Sequence, residues 1–245
     1  RSFGCDYLGG DAVSILTVLE LLPLIGAVVI GFGPKNNSKL VKQIALTTSL
    51  VVAILSLWMW SQFDTSKLGF QFVESRTWIS AFNINYAVGI DGMALALIVM
   101  STVLVPIVFL AGWNESENGR FGVKTFYILM LVLETLMIGV FAATDLFLFY
   151  VIFEAMLIPV YFLIGGYGRG ERAAAALKFL LYSLFGGLLM LAALIGTYII
   201  STNQNGGTFD LTKLSQLTID SATQNWLFLG FLIAFAIKAP LWPLH

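Results

Sequence analysis

DLFLFYVIFEAMLIPVYFLIGG, residues 145–166, is long enough to cross a bilayer as one helix and carries a single carboxylate, Glu154, near its middle. Glu154 lies about nine residues into the span, roughly 14 Å along a helix that rises 1.5 Å per residue, so a short carboxylate cannot reach the interface. An ionisable group at membrane depth costs at least about 2–3 kcal/mol unless a partner or water meets it, which makes it a functional candidate by default. The rest of the chain must therefore supply the partner.

The composition fits such a span. Of 245 residues, 58% are hydrophobic and only 11% are charged, against about 25% charged in soluble domains. Several runs exceed the roughly 18 apolar residues that mark a spanning helix, so a soluble fold is excluded and the fold class is all-α, a polytopic membrane helical bundle. The net charge of −1 gives no sign of nucleic-acid binding. Cys5 is the only cysteine and His245 the only histidine, so no internal disulfide, cysteine metal cluster or histidine-based catalytic constellation is available. No phosphate loop, dinucleotide fingerprint or nucleophile arrangement is present. Metal and cofactor sites are not expected in this chain.

About seven transmembrane helices are predicted. The first three run near 12–32, 40–60 and 91–112, the fourth near 125–143, the fifth at 145–166, the sixth near 176–200, and the seventh from Asn225 onward. Residues 1–11 are polar and glycine-rich, without a signal-peptide pattern. Residues 61–90 read as a long mixed loop, a folded extramembrane or interfacial segment. A short Ala-Thr-Asp turn makes spans four and five an antiparallel hairpin, and Asp145 is placed to cap the fifth helix. Gly206–Gly207, between Tyr198 and Phe209, are read as the turn of a short β-hairpin. Three regions result: 1–87 with spans one and two and an external loop, 88–124 with span three and its cytoplasmic loop, and 125–245 with spans four to seven. The missing initiator Met and an end inside a helical pattern suggest a fragment of a longer chain.

The loops after odd spans carry eight lysines and arginines near their membrane ends, Lys35, Lys39, Lys42, Arg120, Lys124, Arg169, Arg172 and Lys178. The opposite side carries four, Arg1, Lys67, Arg76 and Lys213. The positive-inside rule puts the first set in the cytoplasm and the N-terminus outside.

The strongest partner for Glu154 is Lys238, in AIKAPLWPLH, about thirteen residues into the seventh span. Pro240 and Pro243 each remove a backbone donor and clash with the preceding turn, so the helix should break near Pro240. Irregular backbone at membrane depth is tolerated only where it is buried in protein or lines water. A lysine beside such a break fits an ion-handling site; the alternative is a lysine that snorkels to the interface. A Lys and a Glu at similar depth tune one another, because proximity keeps both charged and separation lets desolvation neutralise them. That is the physical core of a proton relay. Glu134, mid-span in helix four, is a second candidate for it. Lys178 either snorkels or bridges the relay to the cytoplasm. Glu20, in the first span, joins the relay or hydrogen-bonds between helices. Gly186 and Gly187 are read as packing glycines.

These residues carry a resemblance. DLFLFYVIFEAMLIPVYFLIGGYG, LKFLLYS, FLIAFAIKAPLWPLH and VGIDGMALALIVMSTVLVPIVFLAGW, the last at 88–113, resemble the subunit M (chain 4) family. These are antiporter-like membrane subunits of proton-pumping NADH:quinone oxidoreductase, respiratory complex I. The resemblance covers most of 88–245, and the first 87 residues agree only in span layout. It implies a fourteen-span subunit with two inverted five-span repeats, of which this chain would hold the N-terminal half and most of one half-channel. By motif, Glu154 matches the family's span-five glutamate, Lys238 its broken-helix lysine, His245 the histidine after the break, and Lys178 a lysine early in span six. The implied function is proton translocation coupled to quinone reduction, as part of an enzyme complex whose partner subunits would carry FMN and iron–sulfur clusters. Implied partners are other complex I membrane subunits, above all the neighbouring antiporter-like ones, together with lipids and no nucleic acid. The implied location is a bacterial plasma (inner) membrane. The alternatives are a subunit of a multi-subunit cation/proton antiporter, and a scaffold whose charges only hold helices together.

Overall fold

The computed structural model describes residues 15–33, 37–114 and 119–243. The chain is a helical membrane bundle: α1 (Ile15–Phe32), α2 (Ser38–Gln62), α3 (Gly92–Ala111), α4 (Gly122–Ala142), α5 (Leu146–Ala155), α6 (Leu157–Tyr167), α7 (Arg172–Asn205), α8 (Leu211–Leu214) and α9 (Ser221–Lys238). Six stretches are long and apolar enough to cross a membrane, with α5 and α6 together forming one of them. The stretch expected as a seventh span forms α9, whose first turn is polar and which lies antiparallel against α7. The helices are apolar nearly all round, and side chains such as Ile25, Ile54 and Ile107 face outward. That pattern belongs to helices solvated by lipid.

Helices α1–α4 pack on one another through two apolar clusters. At one end Leu16, Leu19, Met59 and Ile138 meet; at the other Ile30, Val41, Phe109 and Tyr127 do. Helices α5, α6, α7 and α9 pack beside this group. The α7–α9 seam is made of small residues. Gly230 sits against Ala193, and Gly186 against Ala234 and Ile237. Without a hydrophobic drive between helices in lipid, such close backbone approach is what holds two spans together.

The loop at 61–90 contains a β-hairpin that the sequence reading did not resolve. Strand β1 (Gln71–Ile79) pairs antiparallel with β2 (Ile84–Ile90), Arg76 opposite Tyr86 and Thr77 opposite Asn85. Asn83 makes the turn at φ 53°, a left-handed conformation that asparagine tolerates better than most residues. Irregular pairing between Gln71 and Glu74, beside a left-handed Phe72, interrupts the alternation that would have marked a strand.

The hairpin joins the other loops on its side. Thr144 N donates to Ala87 O at 2.9 Å, Leu146 N to Phe209 O at 2.8 Å, and Asn83 Nδ2 to Gly207 O at 2.9 Å. Asp145 caps α5 by accepting from Phe147 N and Leu148 N, and it also accepts from Asn85 N. At the opposite end Arg120 N donates to Gly166 O, and Lys124 Nζ to the carbonyls of Gly31, in the last turn of α1, and Gly33, just past it. The even and odd loops therefore cluster at opposite ends, as alternating spans require.

Two expectations are corrected. Gly206–Gly207 do not turn a β-hairpin: α7 runs on through Asn205, and Gly206 ends it at φ 75° as a left-handed helix cap. The sixth span is also longer than 176–200. At 34 residues it extends about 51 Å, past the roughly 30 Å hydrocarbon core.

Candidate functional site: a lysine–glutamate pair between two broken helices

The fifth span is two helices. α5 stops at Ala155, Met156 stands at the junction, and α6 begins at Leu157. Pro159 causes this, since it has no N–H for the Ala155 carbonyl and its ring crowds that turn. Glu154 is the penultimate residue of α5, immediately before the interruption.

α9 ends at Lys238 for the same reason. Pro240 has no N–H for the Ala236 carbonyl, and that carbonyl accepts instead from Leu241 N at 2.9 Å. The lysine thus closes a helix whose C-terminal dipole favours a cation. The expected break near Pro240 is present among the described residues.

The two interruptions face one another. Lys238 Nζ is 3.7 Å from Glu154 Oε1, with side-chain exposures of 18% and 15%. That is ion-pair range but longer than a hydrogen bond. The ammonium donates its hydrogen bond to the Phe153 carbonyl at 3.0 Å, and it lies 4.0 Å from the centroid of the Phe153 ring. Lys238 is therefore held by a backbone carbonyl and a π-face as well as by charge. Neither Glu154 oxygen accepts a hydrogen bond in the structure.

A third helix shapes the pocket. Glu154 lies against Gly187 of α7 so closely that a Cβ there would fall 2.4 Å from its carboxyl carbon. Gly187 is thus the seat of the carboxylate, and only its neighbour Gly186 packs against α9. The glycine pair was visible in the sequence, but nothing there distinguished a helix contact from a carboxylate contact.

The other named residues are placed as follows. Glu134 is wholly buried on α4, which packs against α5 and α6, and neither of its oxygens is hydrogen-bonded. Burying an ionised carboxylate without a partner is expensive, so its presence is a functional signal. Lys178 is on an exposed face of α7, nine residues before Gly187, about 14 Å along the axis. His245 lies outside the described residues. Glu20 is buried and bonds not to another helix but to the hairpin, accepting from Tyr86 Oη at 2.8 Å. The described residues contain no group of three or more His, Cys, Asp or Glu side chains placed to hold a metal.

The family model described as NADH:quinone oxidoreductase/Mrp antiporter, transmembrane region, matches residues 143–245. That described as NADH-ubiquinone oxidoreductase chain 4, amino terminus, matches residues 18–140, so the likeness reaches well into the first 87 residues. The chain is similar to NADH-quinone oxidoreductase subunit M of Mycobacterium tuberculosis, 41% identical, over 94% of this chain and 48% of that protein. It is also similar to a chain of respiratory complex I from Thermus thermophilus, with a TM-score of 0.79 and 29% identity, over 94% of this chain and 45% of that one. A chain of the Mrp complex from a Dietzia species shares the fold, with a TM-score of 0.75 at 19% identity, over 91% of this chain and 23% of that one. The chain spans about half the length of the curated relatives it matches. On the two family matches, which together take in nearly the whole sequence, this multi-pass membrane chain belongs to the NADH:quinone oxidoreductase chain 4 family, the antiporter-like subunit M.

Proposed function

We propose that this chain is part of a proton-translocating membrane subunit of NADH:quinone oxidoreductase, in which Glu154 and Lys238 form a charge-coupled relay. The observation that carries the reading is the pair itself: two ionisable groups, each beside a proline-broken helix, 3.7 Å apart inside the bundle. When charge arrives nearby, or when α9 shifts, the ammonium loses its counter-charge. It then rests on the Phe153 carbonyl, which accepts from the ammonium and, more weakly, from a neutral amine. The lysine can give up a proton without losing its position, and Glu154 can accept one because no donor occupies its oxygens. Glu134, Lys178 and His245 are the further members of the relay in this reading. The chain holds no redox centre in this reading, and its partner subunits carry the FMN and iron–sulfur clusters.

The eight-to-four excess of lysine and arginine in the loops after odd spans supports an N-terminus outside the membrane, which this reading takes to be a bacterial plasma (inner) membrane, and with it an external hairpin. The partners are the neighbouring antiporter-like subunits and lipid, which together cover the apolar outer faces. A cation/proton antiporter of the Mrp type is the second reading. It shares the fold, while the more similar relatives are complex I subunits.

Purification of the native chain in mild detergent separates the two. It should bring down flavin- and iron–sulfur-containing subunits and NADH-driven quinone reduction. Cation/proton exchange with no redox subunits attached would overturn the reading in favour of the antiporter.

A further inference from the structure

The bond from Tyr86 ties Glu20 into a file of oxygens that the relay does not use. On α1 Glu20 is five residues, about one and a half turns, from the hairpin end. Its Oε2 accepts from Tyr86 Oη at 2.8 Å; Tyr86 Oη contacts Thr17 Oγ1 at 3.1 Å; Thr17 Oγ1 donates to Glu74 Oε2 at 2.5 Å. The other Glu74 oxygen lies 3.5 Å from Arg76 Nε, whose side chain is 62% exposed. Four oxygens therefore form an unbroken file from a buried carboxyl in a spanning helix to the surface of the hairpin. Glu74, Arg76 and Tyr86 stand on one hairpin face, since Glu74 and Arg76 are two apart and Arg76 is directly opposite Tyr86.

Counting hydrogens gives the file its meaning. It has three oxygen–oxygen contacts. With both carboxylates ionised, Tyr86 spends its hydrogen on Glu20 and Thr17 spends its own on Glu74, which leaves none between the two hydroxyls. One carboxyl proton fills the gap. If it sits on Glu20, every bond points outward: Glu20 to Tyr86 to Thr17 to ionised Glu74 beside Arg76. If it sits on Glu74, every bond points inward. Burial raises Tyr86 above the ordinary phenol range, with Glu20 and Glu74 adding to the shift, so it stays a neutral hydroxyl that passes a proton without storing one.

We propose that Glu20, Tyr86, Thr17 and Glu74 form a proton wire between the interior of the bundle and the hairpin-side surface. The wire deepens the proton-translocating reading given above and rests on it. In one transfer the Glu20 O–H breaks as a Tyr86 O–H forms, the original Tyr86 hydrogen passes to Thr17, and the original Thr17 hydrogen passes to Glu74. One proton moves, and both hydroxyls end neutral. Glu74, at the exposed Arg76, exchanges it with solvent. At the inner end, a Cβ added to Gly139 of α4 would fall 2.7 Å from Glu20 Oε1 and 3.1 Å from Ile152 of α5. Gly139 is five residues past Glu134, about 7.5 Å along α4 toward the hairpin, and Ile152 is two residues before Glu154. The wire thus begins where α4, which carries Glu134, and α5, which carries Glu154, both approach Glu20.

The test uses the assembled complex in proteoliposomes, driven by NADH. Thr17→Val and Tyr86→Phe each remove one hydroxyl and should cut proton translocation by about a hundredfold, the low end of what a positioned proton-transfer group contributes. Thr17→Ser keeps the hydroxyl and should stay within about twofold of the unaltered complex. Thr17→Val pumping normally, or Thr17→Ser failing as Thr17→Val does, overturns the wire. Glu154→Gln measured alongside separates the two ideas: if it pumps normally, the relay reading itself fails; if it is inactive while Thr17→Val pumps, only the wire fails. Infrared difference spectra on pH titration give a second readout. A glutamine at either end donates into the file and supplies the third hydrogen, so Glu20→Gln and Glu74→Gln should each remove the same single protonated-carboxyl band. Two independent bands, or none in the unaltered complex, would overturn the shared proton even if the hydroxyl variants failed to assemble.

Discussion

Glu154→Gln should reduce NADH-driven proton translocation on the order of a hundredfold, the scale set by losing a positioned proton-transfer group, while the complex assembles at its normal level. Glutamine has nearly the volume of the acid, so the contact with Gly187 persists and no cavity opens. It cannot titrate, and it carries no charge to answer Lys238. The lysine keeps the Phe153 carbonyl at 3.0 Å and the ring face at 4.0 Å, and these hold it in place with its counter-charge removed. Structure should therefore survive where function does not. Quantifying the assembled complex by native electrophoresis beside translocation in vesicles checks both halves. Normal pumping, or loss of assembly in proportion to loss of activity, would favour a scaffold role for the charges.

Gly187→Ala is the second large expected effect, and it touches no ionisable group. The new methyl would stand 2.4 Å from the Glu154 carboxyl carbon and 2.4 and 2.5 Å from its oxygens, closer than unbonded atoms approach. The atoms in the way are the far end of a flexible side chain, so the carboxylate swings aside and α7 keeps its path. The stability cost should be near the low end of overpacking, about 1 kcal/mol. The functional cost should be far greater, because a displacement of about 1 Å in a reacting group can lower a rate on the order of a hundredfold. Thermal unfolding in detergent and translocation rates in vesicles should diverge: a small shift in the first, a large loss in the second. Equal losses in both would mean that Gly187 serves packing alone.

How much the sequence disclosed depended on the range of the interactions. The spans were readable because about 20 apolar residues in a row have few other stable fates. Glu154 and Lys238 stood out because charge is rare at that depth and because prolines follow them at 159 and 240. Their pairing was inferred from depth, and the structure places them 3.7 Å apart. What escaped depended on three-dimensional neighbours. The break at Met156 follows from Pro159, but one proline in an apolar run is compatible with a continuous kinked helix. The hairpin at 71–90 was hidden because its irregular pairing and left-handed Phe72 break the alternation of period two. Gly186 and Gly187 are adjacent, yet one meets α9 and the other a carboxylate, since successive helical residues face about 100° apart. Glu20 was recognised as costly, but its partner Tyr86 is 66 residues away, on a segment read as a loop. The oxygen file becomes visible only once β1, β2 and α1 are brought together.

The central claim is that Glu154 and Lys238 act as one unit, and a double-mutant cycle on NADH-driven proton translocation tests it most directly. Glu154→Gln, Lys238→Met and the double variant would be compared in the same vesicles. If the two residues are halves of a single relay, the first substitution already abolishes what the second could remove, and the double variant should be no slower than the more damaged single variant. Losses that multiply, each substitution costing its full factor in the presence of the other, would contradict the account and make the two residues independent.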